Sequence, residues 1–381
     1  MAIVETELIT VQSGYDRKTC WVHARPGVIP GDPLRALITM QKLRLTGEDI
    51  FYELHDIRSD DGGRTWSQPV SHFESLGRRP DSGGVEEGIS DFTPAWHSAS
   101  GVLLGTGHTV RYFGDELEEV PRRRDTGYSV YDPGTRSWSV WEKLALPAGK
   151  EFFNEGAGCT QRVDLPNGDV LLPTYVGRTV DGPYQDFAST VLRCSFDGKS
   201  LKYLEHGEAL FHPRGRGFVE PSLASARGEF FLTLRNDNSG YVSRSRDGLN
   251  YSDPQPWTYD DGSDLGNYNT QQHWVTHGDE LWLIYNRRAA NNHHIFRHRA
   301  PLFIGRVDLD TLCIVRETEQ ILVPEKGARL GNFGVTQVSD SETWVVASEW
   351  MQTTLPHWND FSACEKYGSN NSIFLAKIRF Q

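Results

Sequence analysis

Apolar residues in this chain come in short runs bounded by turn signals. The runs VLLGT at 102–106, DVLLP at 169–173, EFFLTL at 229–234 and ELWLIY at 280–285 have strand length and β-rich composition. They follow turn signals such as Asn167-Gly168 and Gly278-Asp279, which supply the backbone angles of tight hairpins. A further apolar run, IFLAKIRF, closes the chain at 373–380. No stretch sustains the period of an amphipathic helix. The pattern predicts an all-β protein of many short antiparallel strands.

Between the runs a turn motif recurs. Ser59, Asp61, Gly63, Thr65 and Trp66 match the Asp-box S-x-D-x-G-x-T-W at every specified position. In such a turn the carboxylate accepts hydrogen bonds from nearby backbone N–H groups, and the Trp packs beneath. Looser copies follow: SVYDPGTRSW at 129–138, Ser195-Phe196-Asp197-Gly198 with Tyr203, Ser245 to Gly248 with Tyr251, and GRVDLD at 305–310. Their starts lie roughly 50 to 70 residues apart, the size of a four-stranded propeller blade. A single domain over residues 1–381 is expected, a six-bladed β-propeller closed by pairing of its terminal strands. Five and seven blades are the neighbouring counts.

Composition sharpens this picture. A length of 381 residues would ordinarily suggest two or three domains, but a propeller can use the whole chain. The 37 Gly and 11 Trp suit short strands and tight turns. A net charge of −12 argues against general attraction to nucleic acid or to an anionic membrane, so neither is expected as a partner. No apolar run is long enough to span a bilayer. The first residues lack a basic segment followed by an apolar one, which points to the cytoplasm, or to a secreted or periplasmic protein whose leader was removed. Cys20, Cys159, Cys194, Cys313 and Cys364 are scattered, without a CxxC pair, and read as buried thiols. Nothing in the sequence specifies an oligomeric state.

The boxes, taken with several arginines, resemble the sialidase superfamily. The resemblance covers nearly the whole chain at the level of blades. It implies three arginines gripping a substrate carboxylate, as planar guanidinium groups do. The first belongs to an R-I-P motif, for which Arg25 in Ala24-Arg25-Pro26 is the candidate. The second follows a glutamate, and Glu220 with Arg235 has that spacing. The third is best matched by Arg299, with Arg297 and Arg287 as rivals. An acid/base carboxyl precedes the first box; Asp49 fits, with Glu48 beside it. Such a group protonates the leaving oxygen and then activates water. Retaining members use a Tyr nucleophile activated by the glutamate. In the stretch LGNFGVT at 330–336, however, Asn332 and Phe333 stand where that Tyr is expected. Tyr268, Tyr285 or Tyr175 could replace it only in a rearranged pocket.

Other polar residues sit at predicted strand ends, which in a propeller face the central mouth. His108, Glu155, Gln272, Arg287 and Asn332 are candidate sugar contacts or catalysts, and Trp96, Trp274 and Trp350 are candidate stacking platforms. His293, His294 and His298 lack a metal-ligand framework, and no nucleotide or dinucleotide motif is present. No cofactor and no metal are expected. The sequence is therefore read as an exo-acting glycoside hydrolase cleaving a terminal acidic sugar, sialic or uronic, from a glycan or oligosaccharide. Arg25, Arg235 and Arg299 would bind the carboxylate, Asp49 would be the acid/base, and Glu220 would assist a nucleophile or water. One alternative is a uronate lyase in which His108 outranks Asp49. Another is a non-catalytic propeller that binds acidic carbohydrate.

Overall fold

The computed structural model describes residues 3–46, 49–118, 123–178, 186–354, 356 and 359–381. Among these residues strand dominates, and the two α-helices, Phe73–Leu76 and Phe361–Lys366, are short. The strands form six antiparallel sheets, and the all-β propeller expected from the turns and runs is present.

The first sheet runs outward from Thr19–Ile29 through Arg35–Arg44 and Phe51–Ser59 to Val70–Ser71. The second is built on Glu86–His97, Val102–Phe113 and Thr126–Asp132. In the third, the innermost position is split between Glu155–Gly156 and Val163–Asp164, which both pair with Val170–Gly177. The fourth starts at Val219–Ala226, the fifth at His273–His277 and the sixth at Phe333–Gln337. Each innermost strand lies against elements of the neighbouring sheets, and Phe333–Gln337 returns to Thr19–Ile29, which closes the ring. The outermost strand of the sixth sheet is Ile3–Gln12, paired antiparallel with Ile373–Phe380.

Apolar clusters fill the gaps between consecutive sheets. Leu37, Ile89 and Phe92 pack between the first and second, and Leu104, Val170 and Leu192 between the second and third. Leu171, Leu223 and Leu232 pack between the third and fourth, and Phe231, Trp274 and Leu283 between the fourth and fifth. Ile284, Phe333 and Val345 follow between the fifth and sixth, and Trp21, Ile38 and Leu375 between the sixth and first. Second strands are thus buried on both faces, which explains their unbroken apolar runs.

The turn at Ser59–Trp66 has the expected architecture. Asp61 accepts from Arg64 N (3.0 Å), Thr65 N (2.9 Å), Thr65 Oγ1 (2.6 Å) and Ser59 Oγ (2.8 Å). Gly63 has φ +74°, and a Cβ there would come within 2.6 Å of the Trp344 ring. Trp66 packs on that same ring. Asp247 repeats the arrangement with Ser245, Leu249 and Asn250.

Candidate active site

Bulges in the innermost strands bring the site together. Pairing registers slip between Val22 and Arg25, between Ser90 and Thr93 and between Val219 and Ser222. At these slips His23, Asp91 and Glu220 have φ of 55°, 51° and 47°, and Cys159 in the third sheet has φ 60°. A bulge re-aims the side chain it carries. Non-glycine residues in this conformation are strained and concentrate at functional sites.

The bulged residues surround a cavity of about 380 Å³ at one end of the inner strands. Its lining includes His23, Asp49, Asp91, His108, Tyr175, Glu220, Arg235, Arg297, Arg299, Arg329, Asn332 and Trp350. Eight arginines face it against three carboxylates. The outer arginines have acidic partners: Arg111 with Asp81 and Glu118, Arg123 with Asp125, and Arg216 with Asp237. Arg297, Arg299 and Arg329 form no ion pair among the described residues. Arg235 binds Glu220 and donates to Asn269 Oδ1 (2.7 Å). Arg299 donates to the Asn269 carbonyl, and Arg329 stacks on Trp350 with its Cζ 3.4 Å from the ring centre. Among the described residues, neither Arg235 Nε nor Arg329 Nε has a hydrogen-bond partner, although both are buried.

Burial, reinforced by neighbouring arginines, pushes Arg299 well below the usual guanidinium range. Burial also brings Arg329 down to about 9; Asp49 opposes the shift and Arg297 adds to it. A guanidinium does not surrender its proton inside a protein. The direction therefore reports first the cost of enclosing charges away from water, and second their repulsion by neighbouring arginines; an arriving anion offsets both.

Opposite the arginines lies a second cluster. Asp91 receives His23 Nε2 at 3.3 Å, Arg25 Nη2 at 3.2 Å and the Cys159 thiol at 2.8 Å, with His108 Nε2 3.8 Å away. Burial would raise the Asp91 carboxyl, but its contacts with His23, Arg25, His108 and the Cys159 thiol outweigh it and hold Asp91 well below the carboxylate range. Burial lowers His108 to about 4, so its imidazole is neutral near pH 7. Its Nδ1 lies 3.1 Å from the Tyr175 hydroxyl. Burial raises that phenol well above its ordinary value.

The sequence-derived candidates divide accordingly. Asp49, His108, Glu220, Arg235, Arg299 and Asn332 all line the cavity. Asp49 is exposed, and its carbonyl accepts from the Tyr112 hydroxyl (3.3 Å); Glu48 lies outside the described residues. Arg25 does not reach the cavity. It is fully buried and donates to Asp91, Cys159 and Gln271, because the bulge at His23 turns it inward. Glu155 is enclosed and bound by Thr126 and Thr174. Gln272 accepts from Thr233 Oγ1 (2.7 Å) and donates to the Thr270 carbonyl (3.0 Å). Arg287 is paired with Glu319, which also takes the Tyr285 hydroxyl. Tyr268 bonds His298, and His298 Nε2 lies 3.2 Å from His293 Nδ1. Trp96 and Trp274 border a different cavity, lined by neutral residues together with Arg162, Asp164 and Asp340. Of the three tryptophans, Trp350 alone belongs to the charged pocket.

His23, Asp91 and Arg329 were not singled out by sequence reasoning. A proline three residues after the first two (Pro26 and Pro94) marks equivalent bulges in adjacent sheets, the one sequence signal that could have found them. Arg329 follows no such pattern.

Comparison with known proteins agrees with this architecture. The family model for the BNR repeat-like domain matches residues 109–316. No curated protein matches the sequence. Among solved structures, a Dyadobacter fermentans protein of unknown function superposes with a TM-score of 0.68 at 15% identity, covering 100% of both chains. The sialidase of Trypanosoma rangeli, solved with sialic acid, gives 0.62 at 14% identity; the match covers 99% of this chain and 59% of the sialidase. The phage phi92 endosialidase gives 0.60 at 12% identity, covering 99% and 69%. At these identities the likeness establishes the fold alone. With more than half of its length inside the family model and a ring of antiparallel sheets behind it, the chain belongs to the BNR repeat-like domain family and has a sialidase-like β-propeller.

Proposed function

We propose that this protein is an exo-acting glycosidase that removes a terminal carboxylate-bearing sugar, of sialic or uronic type, from a glycan. One observation carries the reading: Arg235, Arg299 and Arg329 converge on one pocket, and among the described residues the buried Nε groups of Arg235 and Arg329 have no acceptor. Buried donors of this kind are completed by an acceptor, and a sugar carboxylate supplies charge and acceptors together. A cavity of about 380 Å³ holds one sugar residue rather than a long chain. Asp49, exposed at the pocket, would protonate the leaving oxygen. Arg329 replaces Arg25 in the carboxylate grip. The sialidase-like neighbours support the substrate class by analogy of fold.

The test is incubation with fluorogenic sialosides and uronides, wild type beside Asp49→Asn. Release of fluorophore by wild type is expected, falling roughly 10²–10⁴-fold in the variant. Arg329→Met should raise KM. If wild type releases none of these sugars and binds neither free sialic nor free uronic acid, the reading is wrong.

A further inference from the structure

The glycosidase reading leaves one chemical role unfilled. Where the resemblance calls for a tyrosine nucleophile, Phe333 is fully buried and its carbonyl is held by Arg25 and Gln271. Asn332 beside it carries an amide. Among the described residues lining the cavity, the one tyrosine is Tyr175, contributed by the third sheet. Resting on that reading, we infer that Tyr175 is the nucleophile of this site, with His108 as its base and Asp91 as the carboxylate that orients the base.

The geometry follows the logic of nucleophile, base and orienting group. The Tyr175 hydroxyl meets His108 Nδ1 at 3.1 Å, and the far nitrogen of that imidazole faces Asp91 at 3.8 Å. Asp91 is fixed in turn by His23, Arg25 and Cys159. The ring has little freedom. A Cβ on Gly156 would lie 2.7 Å from His108 Cβ, and one on Gly158 would overlap Nδ1 itself. Gly156, at the end of the neighbouring strand, and Gly158, in the turn that follows it, thus let the backbone close over the imidazole. Neither Glu220 nor Asp91 is free to replace Tyr175 as nucleophile: Glu220 is bound by Arg235, and Asp91 by Arg25, His23 and the Cys159 thiol. At rest the phenol is protonated and the imidazole neutral, the pair of states from which a base-assisted attack starts.

In the first step Tyr175 Oη attacks the anomeric carbon as the glycosidic C–O bond breaks. The leaving oxygen takes the proton of Asp49, and the phenolic proton passes to His108 Nδ1. In the second step Asp49 deprotonates water, which attacks the same carbon. The bond to Tyr175 Oη breaks, and His108 returns the proton. Two displacements retain the anomeric configuration.

The experiment combines trapping with stereochemistry. Full-length protein is treated with 2,3-difluorosialic acid and a 2-fluorinated uronosyl fluoride, then mapped by peptide mass. Product anomers from turnover are read by NMR. We expect one glycosyl adduct on Tyr175 and a retained anomer. Tyr175→Phe should leave no adduct and lower kcat by roughly 10³-fold or more, while its melting and its binding of free sugar acid match wild type. Asp91→Asn, a change at a positioning residue, should lower kcat with KM held. An adduct on another residue, an inverted anomer, an unsaturated sugar from elimination, or a Tyr175→Phe variant within tenfold of wild type would overturn the assignment yet leave glycan cleavage standing. A wild type that cleaves no acidic sugar overturns both this assignment and the glycosidase reading.

Discussion

At Gly158 the backbone leaves no room for a methyl group, because a Cβ would overlap His108 Nδ1. Gly158→Ala should therefore rotate the imidazole away from Tyr175. Overpacking of this kind costs about 1–3 kcal/mol. Thermal melting should show that modest loss, and kinetics should show a much larger fall in kcat with KM little changed. Glu155 provides a second residue-scale test. Burial pushes its carboxyl up to about 7, against bonds from Thr126 and Thr174 that lower it; the ordinary value is about 4.3. Between those values the native state binds the proton more tightly than the unfolded chain. The stability linked to Glu155 is fully present below about pH 4 and is lost as pH rises through about 7, on the order of 4 kcal/mol in all. Glu155→Gln should abolish that loss, so unfolding curves of variant and wild type should diverge in the variant's favour from pH 4 to pH 8. His108 acts with the opposite sign: its pKa is lowered to about 4, so its contribution is lost as pH falls from about 6.5 toward 4. Which residues were legible follows from how locally each is specified. Glu220 and Arg235 face each other across paired strands, so their separation along the chain is a usable signal. His23 and Asp91 reach the pocket through left-handed bulges, and alternation along a strand misplaces such residues. The same bulge hides Arg25, which sequence alone assigned to the carboxylate.

Strands and turns were the most legible elements, and for separate reasons. The runs at 102–106, 169–173, 229–234 and 280–285 fall within Val102–Phe113, Val170–Gly177, Glu229–Arg235 and Glu280–Tyr285 (the 169–173 run begins one residue before its strand). These are second strands, sandwiched between two apolar clusters, so both faces are apolar. Innermost strands and the residues leading into them read poorly because they bury polar groups: Arg25, Thr93, Gln271, Gln272 and His273 are all enclosed. Patterning rules treat such residues as surface. The turns were legible because an Asp-box satisfies its own hydrogen bonds within a few residues. That locality makes a prediction. Asp247 accepts four hydrogen bonds from Ser245, Leu249 and Asn250 in a turn outside the charged pocket. Asp247→Ala should lose about 1–2 kcal/mol of stability and leave kcat/KM unchanged, as seen by denaturant titration and fluorogenic assay on one preparation. A fall in activity without a fall in stability would assign the turn a role the structure does not give it.

On the scale of the molecule, two features matter. The chain carries a net charge of −12, yet it concentrates arginines at one mouth of the ring. Its net charge says nothing of the charge of its ligand, because a local cationic pocket can exist within an acidic protein. The second feature is closure. The ring is completed by Ile3–Gln12, which pairs antiparallel with Ile373–Phe380 in continuous register from Glu5 to Thr10: Thr6 opposite Ile378, Leu8 opposite Ala376. Ile9 and Val11 cover the cluster of Trp344, Ile373 and Leu375, and Arg379 bridges Glu5 and Glu342. Deleting residues 1–12 removes this cover and leaves a long apolar strand at an open edge, the arrangement that invites pairing with another chain. Ile9 and Val11 are partly buried, so removing them costs less than the roughly 1.5–3 kcal/mol each of full burial, which in a chain of this size lowers the melting midpoint by roughly 3–5 °C. The truncated protein should melt earlier by that amount and self-associate in light scattering. Because the sixth sheet also carries Phe333, whose carbonyl holds Arg25 and Gln271 beneath the pocket, activity should fall in the same variant even below its melting point. A truncated chain that stays monomeric and melts within about 2 °C of the full chain would show that the ring is held shut by its inner strands, and that the N-terminal strand only decorates its edge.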